Sequence, residues 1–299
     1  MTAQTSLSNL QVGDELHQPL TVGRNLFSQV MTVLAFALTA LALLPLFSVL
    51  LEILNQGIGQ LSWDVLVNLP APVGVTDRPD GFANAIIGTL IMVGLASAVS
   101  IPFGILTGIF LSEFATSTKF TRVVHFMLVI LSSVPSIIVG IFAYGVVVLA
   151  TKGASAFAGG FALAVIMLPT VALTTEEALK LVPNSYRLAS ASLGGGRFQT
   201  TFRVILTSAV PAITTGVLLA VARAAGETAP LIFTARSSQF WIQGLFEPTP
   251  SMSVLIYNYA GSPFPEQNKL AWTAAAVLLG IVLFSSILSR LITRKRSTR

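Results

Sequence analysis

Six stretches of this 299-residue chain are long and apolar enough to cross a lipid bilayer, and no other feature limits its fold as strongly. Crossing about 30 Å of hydrocarbon takes roughly 20 predominantly apolar residues in a helix. Inside lipid there is no water to bond a free N–H or C=O, so each crossing segment must satisfy its own backbone. The runs at 29–54, 84–111, 123–150, 156–173, 209–234 and 270–292 therefore predict an all-α membrane protein with six transmembrane helices. The fourth and fifth are the least uniform. Residues 174–180 extend one towards water, and Arg223 and Glu227 interrupt the other.

Composition agrees with this reading. Hydrophobic residues make up 54% of the chain and charged residues 10%, with a mean hydropathy of +0.81. Soluble domains carry about 25% charge, so a water-facing surface could not be assembled from this sequence. Cysteine is absent, which removes disulfides and thiolate metal sites. The net charge of +5 does not indicate nucleic acid, because the basic residues are scattered through the predicted loops rather than gathered in one patch. The first 25 residues are polar and mildly acidic (Asp14, Glu15) and lack the charged start and short apolar core of a secretory signal. They read as a cytoplasmic tail.

Lysine and arginine give the orientation. With the N-terminus inside, twelve of the seventeen (Arg24, Lys119, Arg122, Lys180, Arg187, Arg197, Arg203, Arg290, Arg294, Lys295, Arg296 and Arg299) fall on the cytoplasmic side. Four (Arg78, Lys152, Arg236, Lys269) fall outside, and Arg223 lies within a span. That bias satisfies the positive-inside rule and predicts a plasma-membrane protein with both termini cytoplasmic. Trp63, Trp241 and Trp272 all map to the outer side or its interface, where amphipathic rings are favoured. The outer connections 55–83 and 235–269 are long and rich in proline and glycine, and should fold over the outer mouth. The predicted organisation is a cytoplasmic tail (1–28), a first helix with its outer loop (29–83), a five-helix transport domain (84–292) and a basic cytoplasmic tail (293–299).

The run Ala222-Arg223-Ala224-Ala225-Gly226-Glu227-Thr228-Ala229-Pro230 sets an arginine and a glutamate four residues apart within the fifth span. A charge near mid-bilayer costs roughly 2.5–3.5 kcal/mol. On a helix this spacing brings both heads to one face, where they partly neutralise each other. The pair marks either a buried seam of the bundle or the wall of a polar pathway. Pro102, Pro135, Pro169 and Pro211 should break or bend spans, and broken helices at mid-membrane free backbone groups to face a cavity. Ser132, Ser133 and Ser136 around Pro135 could line such a cavity, or serve as helix contacts. Gly104 and Gly108 form a GxxxG pair, the usual sign of close helix packing.

The loop 174–208 has helical features of its own. Pro183-Asn184 offers a helix start, eight or nine helix-compatible residues follow, and Gly194-Gly195-Gly196 ends the helix. A short helix held between two spans on the inner face is a docking knob for a soluble partner. Glu176 and Glu177 lie at the inner end of the fourth span. With Lys180 four residues after Glu176, the plain expectation is a solvated helix end with a weak ion pair, and the alternative is an inner gate. His17 and His125 are isolated and suggest no metal site, His125 being a structural residue near the inner interface. No phosphate-cradling G-x-x-x-x-G-K-[ST] loop is present, so no catalytic residue and no bound cofactor are expected.

The sequence Tyr186-Arg187-Leu188-Ala189-Ser190-Ala191-Ser192-Leu193-Gly194-Gly195, followed by Phe202-Arg203-Val204-Ile205-Leu206 and Pro211-Ala212-Ile213, resembles the signature cytoplasmic loop of ABC-importer permeases. Thr174-Thr175-Glu176-Glu177-Ala178-Leu179, the Gly226-Glu227-Thr228-Ala229-Pro230 core, Leu131-Ser132-Ser133-Val134-Pro135-Ser136 and Val254-Leu255-Ile256-Tyr257-Asn258-Tyr259-Ala260 are similar to the phosphate-transporting members. The resemblance covers about residues 84 to 290. It implies the type I importer (MetI-like) fold and a non-catalytic permease subunit of a bacterial inorganic phosphate importer. It also implies a second homologous permease, a cytoplasmic ATPase dimer that uses ATP and magnesium, and an extracytoplasmic phosphate-binding protein as partners. Arg223, Glu227, Ser133 and Ser136 would then lie on the substrate path. Tyr186, Arg187, Ala189, Leu193, Gly194 and Arg203 would face the ATPase, and Glu176 and Glu177 the inner gate. Leu188 stands where the family's loop has glutamate, Thr207 where the Leu-Pro pair has its first proline, and Leu173 where related sequences often have arginine. A permease for another oxyanion (molybdate, sulfate or phosphonate), a secondary transporter without an ATPase and a non-transporting membrane scaffold remain as alternatives.

Overall fold

A computed structural model describes residues 22–74, 79–114 and 119–297, with side chains to residue 287. Among the described residues five helices are long and apolar enough to span a membrane, or six when one sharply bent pair is taken as a broken span. The first, α1 (Val22–Ile58), starts seven residues earlier than the predicted span. At 1.5 Å per residue its length is about 55 Å, well beyond the hydrocarbon thickness. The chain divides into two compact units, Met1–Glu52 and Ile53–Arg299, so most of α1 belongs to the first. The expected tail 1–28 lies outside the described residues up to Thr21, and His17 with it; residues 22–28 are already helical.

The second unit opens with the short α2 (Trp63–Val67), whose N-terminus is capped by the Ser62 hydroxyl. Next come α3 (Ala83–Phe114, ending in a π-turn over Phe110–Phe114), α4 (Lys119–Ser133), α5 (Ser136–Thr151) and α6 (Ala156–Lys180). The remaining helices are α7 (Asn184–Ser192), α8 (Arg197–Gly226), α9 (Ala229–Thr234), α10 (Met252–Ala260) and α11 (Pro265–Ser297). The expected basic tail from residue 293 is thus the last turns of α11, as far as Ser297.

The most buried span is α6. Its small residues let neighbours close in on every side, and Leu163, Met167 and Val171 fill the core with Met92 and Ala96 of α3 and Ala220 and Ala224 of α8. The GxxxG pair makes a close seam between α3 and α6. A methyl group on Gly104 would sit 2.8 Å from Val171 Cβ, and one on Gly108 would sit 2.6 Å from Thr175 Cβ and 2.7 Å from the Ala172 carbonyl oxygen. Only hydrogen fits there, which is the packing role expected of this motif.

Two of the predicted spans are broken; of the prolines expected to break or bend spans, Pro135 interrupts one, while Pro102, Pro169 and Pro211 lie inside helices. The predicted 123–150 helix is broken between Ser133 and Ser136, and α4 and α5 meet at 102°. Pro135 (φ −55°, ψ 133°) lacks an N–H and keeps Val134 out of the helical region. The predicted 209–234 span begins at Arg197, stops at Gly226, and restarts as α9 with Pro230 in its first turn. Glu227 takes an extended conformation (φ −68°, ψ 126°) at that break.

We expect Gly108→Val to force α3 away from α6, since overpacking of this kind costs ~1–3 kcal/mol. Thermal unfolding of the detergent-solubilised protein should show a lower midpoint, whereas Gly94→Ala, at a glycine with open space around it, should leave it nearly unchanged.

Candidate functional site

The two breaks lie side by side. α5 and α9 pack against each other at Gly140, where an added methyl would come 2.6 Å from Pro230 Cα. Gly140 lies four residues beyond Ser136 and Pro230 three beyond Glu227. With both half-helices running in the same direction, the interruptions fall at nearly the same level. Serine hydroxyls bond the backbone beside both breaks. Ser132 Oγ donates to the Val129 carbonyl (2.8 Å) and Ser133 Oγ to that of Ile130 (2.7 Å), while Ser253 Oγ of α10 donates to the Glu227 carbonyl (2.8 Å). The Ser133 hydroxyl proton is thus already engaged with its own helix. Ser136 opens α5 and is half-buried.

Arg223 and Glu227 meet at this level, with Nε 3.3 Å from Oε1. Sequence spacing placed them inside a continuous helix; the structure places them where α8 ends, Glu227 being its C-cap. The pair is asymmetric. The Glu227 side chain is 14% exposed and that of Arg223 54%. A carboxylate held from below by its own arginine and a guanidinium half open to its surroundings can offer N–H donors to an incoming oxyanion.

At the end bearing most of the basic residues, α7 spans Asn184–Ser192 as the loop pattern predicted. It stops because Gly194 adopts a left-handed conformation (φ 81°), with the Gly195 N–H returning to the Ser190 carbonyl (2.9 Å). Ser190 and Thr200 hydroxyls share a hydrogen bond (2.7 Å) that ties α7 to the start of α8. Between them lies an open groove of about 590 Å³ lined by Tyr186, Ala189, Leu193, Gly194 and Arg203. Leu188 and Leu193 are strongly exposed.

Arg187 does not share this surface. It turns inward, donating to the carbonyls of Val182 (2.9 Å) and Leu179 (3.2 Å) at the end of α6, and pairing with Glu113 (Nη2–Oε1 2.5 Å). The free carbonyls of a helix C-terminus need donors, and an arginine one turn into the next helix supplies them. Glu113, almost fully buried, was not singled out in the sequence. Its only signal there is a lone acid closing an apolar run. Arg197 donates to the Glu113 carbonyl through Nε (2.9 Å) and Nη2, and its guanidinium lies 5.5 Å from the centre of the Phe114 ring. Glu113 therefore joins the ends of α3 and α6 to α7 and α8.

The two glutamates expected together at the inner gate part company. Glu177 is exposed, but Glu176 is buried and held by Lys180 Nζ (2.5 Å) and His125 Nδ1 (3.0 Å). The i,i+4 pair was legible in sequence. The histidine on α4 was not, so neither an isolated His125 nor a solvated Glu176 is observed.

At the opposite, tryptophan-bearing end, the two long loops meet. The Asn84 amide donates to the carbonyls of Ser238 (3.0 Å) and Phe240 (3.2 Å). Asp80 Oδ1 accepts from the Ala71 N–H (2.7 Å), and burial pushes its carboxyl above the ordinary 3.8. Burial, and then the Asp80 charge, likewise raise the Tyr259 phenol. No group of three or more metal-ligating side chains occurs among the described residues.

Residues 100–298 match the family described as binding-protein-dependent transport system inner membrane component. The chain belongs to this family. It is a multi-pass, non-catalytic permease component that works with other subunits of an ABC importer. The phosphate transport system permease protein PstA of Haemophilus influenzae is 39% identical across 90% of this chain and 94% of its own length. The probable PstA of Methanocaldococcus jannaschii is 38% identical across 83% and 86%. Among solved structures, a chain of a bacterial alginate ABC transporter has a TM-score of 0.59 at 16% identity, covering 91% of this permease and 98% of that chain. A chain of the inward-facing MetNI methionine ABC transporter has 0.55 at 18%, covering 72% and 93%. These two likenesses establish the shared fold.

Glu113→Gln should destabilise the permease by about 1.5–3 kcal/mol, the range for a hydrogen bond to a charged group. Arg187→Gln should do much the same, and the double variant should fall little further, because the two groups act as one unit. Denaturation midpoints that simply add would show that the pair is not coupled.

Proposed function

We propose that this chain is the transmembrane permease subunit of an ATP-driven importer of inorganic phosphate, and that Arg223 and Glu227 lie on the substrate path. The observation carrying the proposal is the half-exposed Arg223 guanidinium at a level where two spans are broken, in a chain nearly 40% identical to phosphate permeases. Arg223 would receive the oxyanion. Glu227 would accept a hydrogen bond from the protonated oxygen of hydrogen phosphate, which fully deprotonated sulfate cannot donate. Ser133 and Ser136, at the facing break, would complete the wall.

The basic end faces the cytoplasm in this reading, as the lysine and arginine bias indicates. A PstC-like permease would supply the other half of the pathway, and a PstS-like phosphate-binding protein would dock on the loops around Asn84 and Trp241. A PstB-like ATPase dimer would bind ATP and magnesium, with no cofactor on this chain, and would seat in the groove formed by Tyr186, Ala189, Leu193, Gly194 and Arg203. ATP closure then moves α7, and the Glu113–Arg187 clamp carries that movement into the ends of α3 and α6. Only a difference in ATP affinity between the two transporter states can drive the change.

The test is radiolabelled phosphate uptake at matched membrane abundance, with sulfate, molybdate and phosphonate as competitors. Arg223→Gln should lower flux about tenfold or more, as expected for losing a charge-assisted contact. Glu227→Gln should narrow the preference for phosphate over sulfate. Normal flux and preference in both variants would remove the pair from the pathway, and stronger competition by another oxyanion would reassign the substrate.

A further inference from the structure

Only four cations fall on the tryptophan-bearing side in the sequence-derived orientation, and two of them, Lys152 and Arg236, line one cavity of about 550 Å³. That is within the range of ~300–1,000 Å³ typical of small-ligand pockets. Its other walls include Tyr144, Val148 and Leu149 of α5 and Phe233 of α9. No acidic residue lines it, and neither cation makes an ion pair among the described residues.

The backbone at both cations is unusual in the same way. Lys152 and Arg236, each with φ of 60°, are the only non-glycine residues in the left-handed region among those described. Lys152 ends α5, and Arg236 follows α9 by two residues with its N–H returning to the Leu231 carbonyl (3.3 Å). Glycine is the usual residue for such helix stops. Here two long cationic side chains occupy them at some conformational cost, a pattern found at binding sites. The turns are fastened together by the Ser155 N–H, which donates to the Thr234 carbonyl (2.9 Å).

A cation beside a helix C-terminus complements the helix dipole, and that explains either residue singly. It does not explain why two line one cavity without an acid to neutralise them. Two full positive charges exceed the partial negative ends of the two helices and leave the cavity electropositive.

We propose that Lys152 and Arg236 form a binding site for a phosphoryl oxyanion, separate from the Arg223–Glu227 level. The exposed Leu149 and the half-buried Phe233 beside the cations suit the acyl chains of an anionic phospholipid whose headgroup phosphate sits between Lys152 and Arg236. Free phosphate on its way to the pathway has the same charge chemistry. The site does not depend on phosphate being the transported substrate.

The test uses the full transporter complex and the double variant Lys152→Gly/Arg236→Gly, which removes both charges while giving the backbone the residue it favours. Thermal shift and native mass spectrometry would compare phosphatidylglycerol, inorganic phosphate and, as control, phosphatidylcholine. The parent complex should be stabilised by phosphatidylglycerol or by inorganic phosphate and not by phosphatidylcholine. The double variant should unfold no earlier than the parent without ligand, yet bind the effective ligand about tenfold or more weakly. A response to phosphatidylglycerol alone identifies the headgroup as the source, and a response to inorganic phosphate alone identifies the free ion. Equal ligand responses in parent and variant, or none in the parent, would overturn the site. Failure of the uptake experiments on Arg223 and Glu227 would leave this comparison intact.

Discussion

In hydrocarbon, each interrupted helix leaves N–H and C=O groups that water cannot reach, and the structure is arranged around satisfying them. The interruptions beside Pro135 and Pro230 are flanked by serine hydroxyls that bond carbonyls close to each break. Ser132 and Ser133 bond back to Val129 and Ile130, and Ser253 reaches across from α10 to the Glu227 carbonyl. α10 can reach that position because the Met252 N–H donates to Thr89 Oγ1 of α3 (2.9 Å). The loop that covers the tryptophan-bearing end is therefore part of what makes the charged break possible.

The same accounting governs the basic end. The carbonyls of Leu179, in the last turn of α6, and Val182, just past it, bond Arg187, and the Glu113 carbonyl at the end of α3 bonds Arg197. Glu113 neutralises the first of these arginines while its own backbone receives the second. To serve the docking role proposed for it, α7 has to be exposed on one side and firmly held on the other. The division between Tyr186, Ala189, Leu193 and Arg203 in the groove and Arg187 beneath it meets both needs. Between the two ends, α3 and α6 are pressed together by Gly104 and Gly108, so a displacement at Glu113 passes into a seam with little slack.

Much was legible because lipid imposes a strong, local requirement. Apolar run length gave six spans, the number reached when the bent α4–α5 pair is counted as one, and Gly194-Gly195-Gly196 gave the stop just beyond α7. The glycine pair at 104 and 108 gave a helix seam. Other features were not local. The 102° turn at Pro135 follows from proline chemistry, but its size depends on α5 finding Pro230 opposite Gly140. Burial of Glu176 depends on His125 arriving from α4, fifty-one residues earlier in the chain. Arg187 reads as one more exposed residue of a docking helix until Glu113 is placed beneath it.

The sequence by itself determined that the chain is a helical membrane protein, that Arg223 and Glu227 fall one helical turn apart in an apolar stretch, and that a short glycine-stopped helix joins two spans. These follow from residue type and spacing along a single element, where hydrophobicity, helical period and glycine conformation act locally. Only the tertiary structure decided which charges are spent on the fold and which stay available. Arg187, Arg197 and Glu176 are consumed by partners distant in sequence or by helix ends, while Arg223, Lys152 and Arg236 keep donors exposed. The physical reason is that a charge's role depends on the dielectric and the partners around it, and packing sets both.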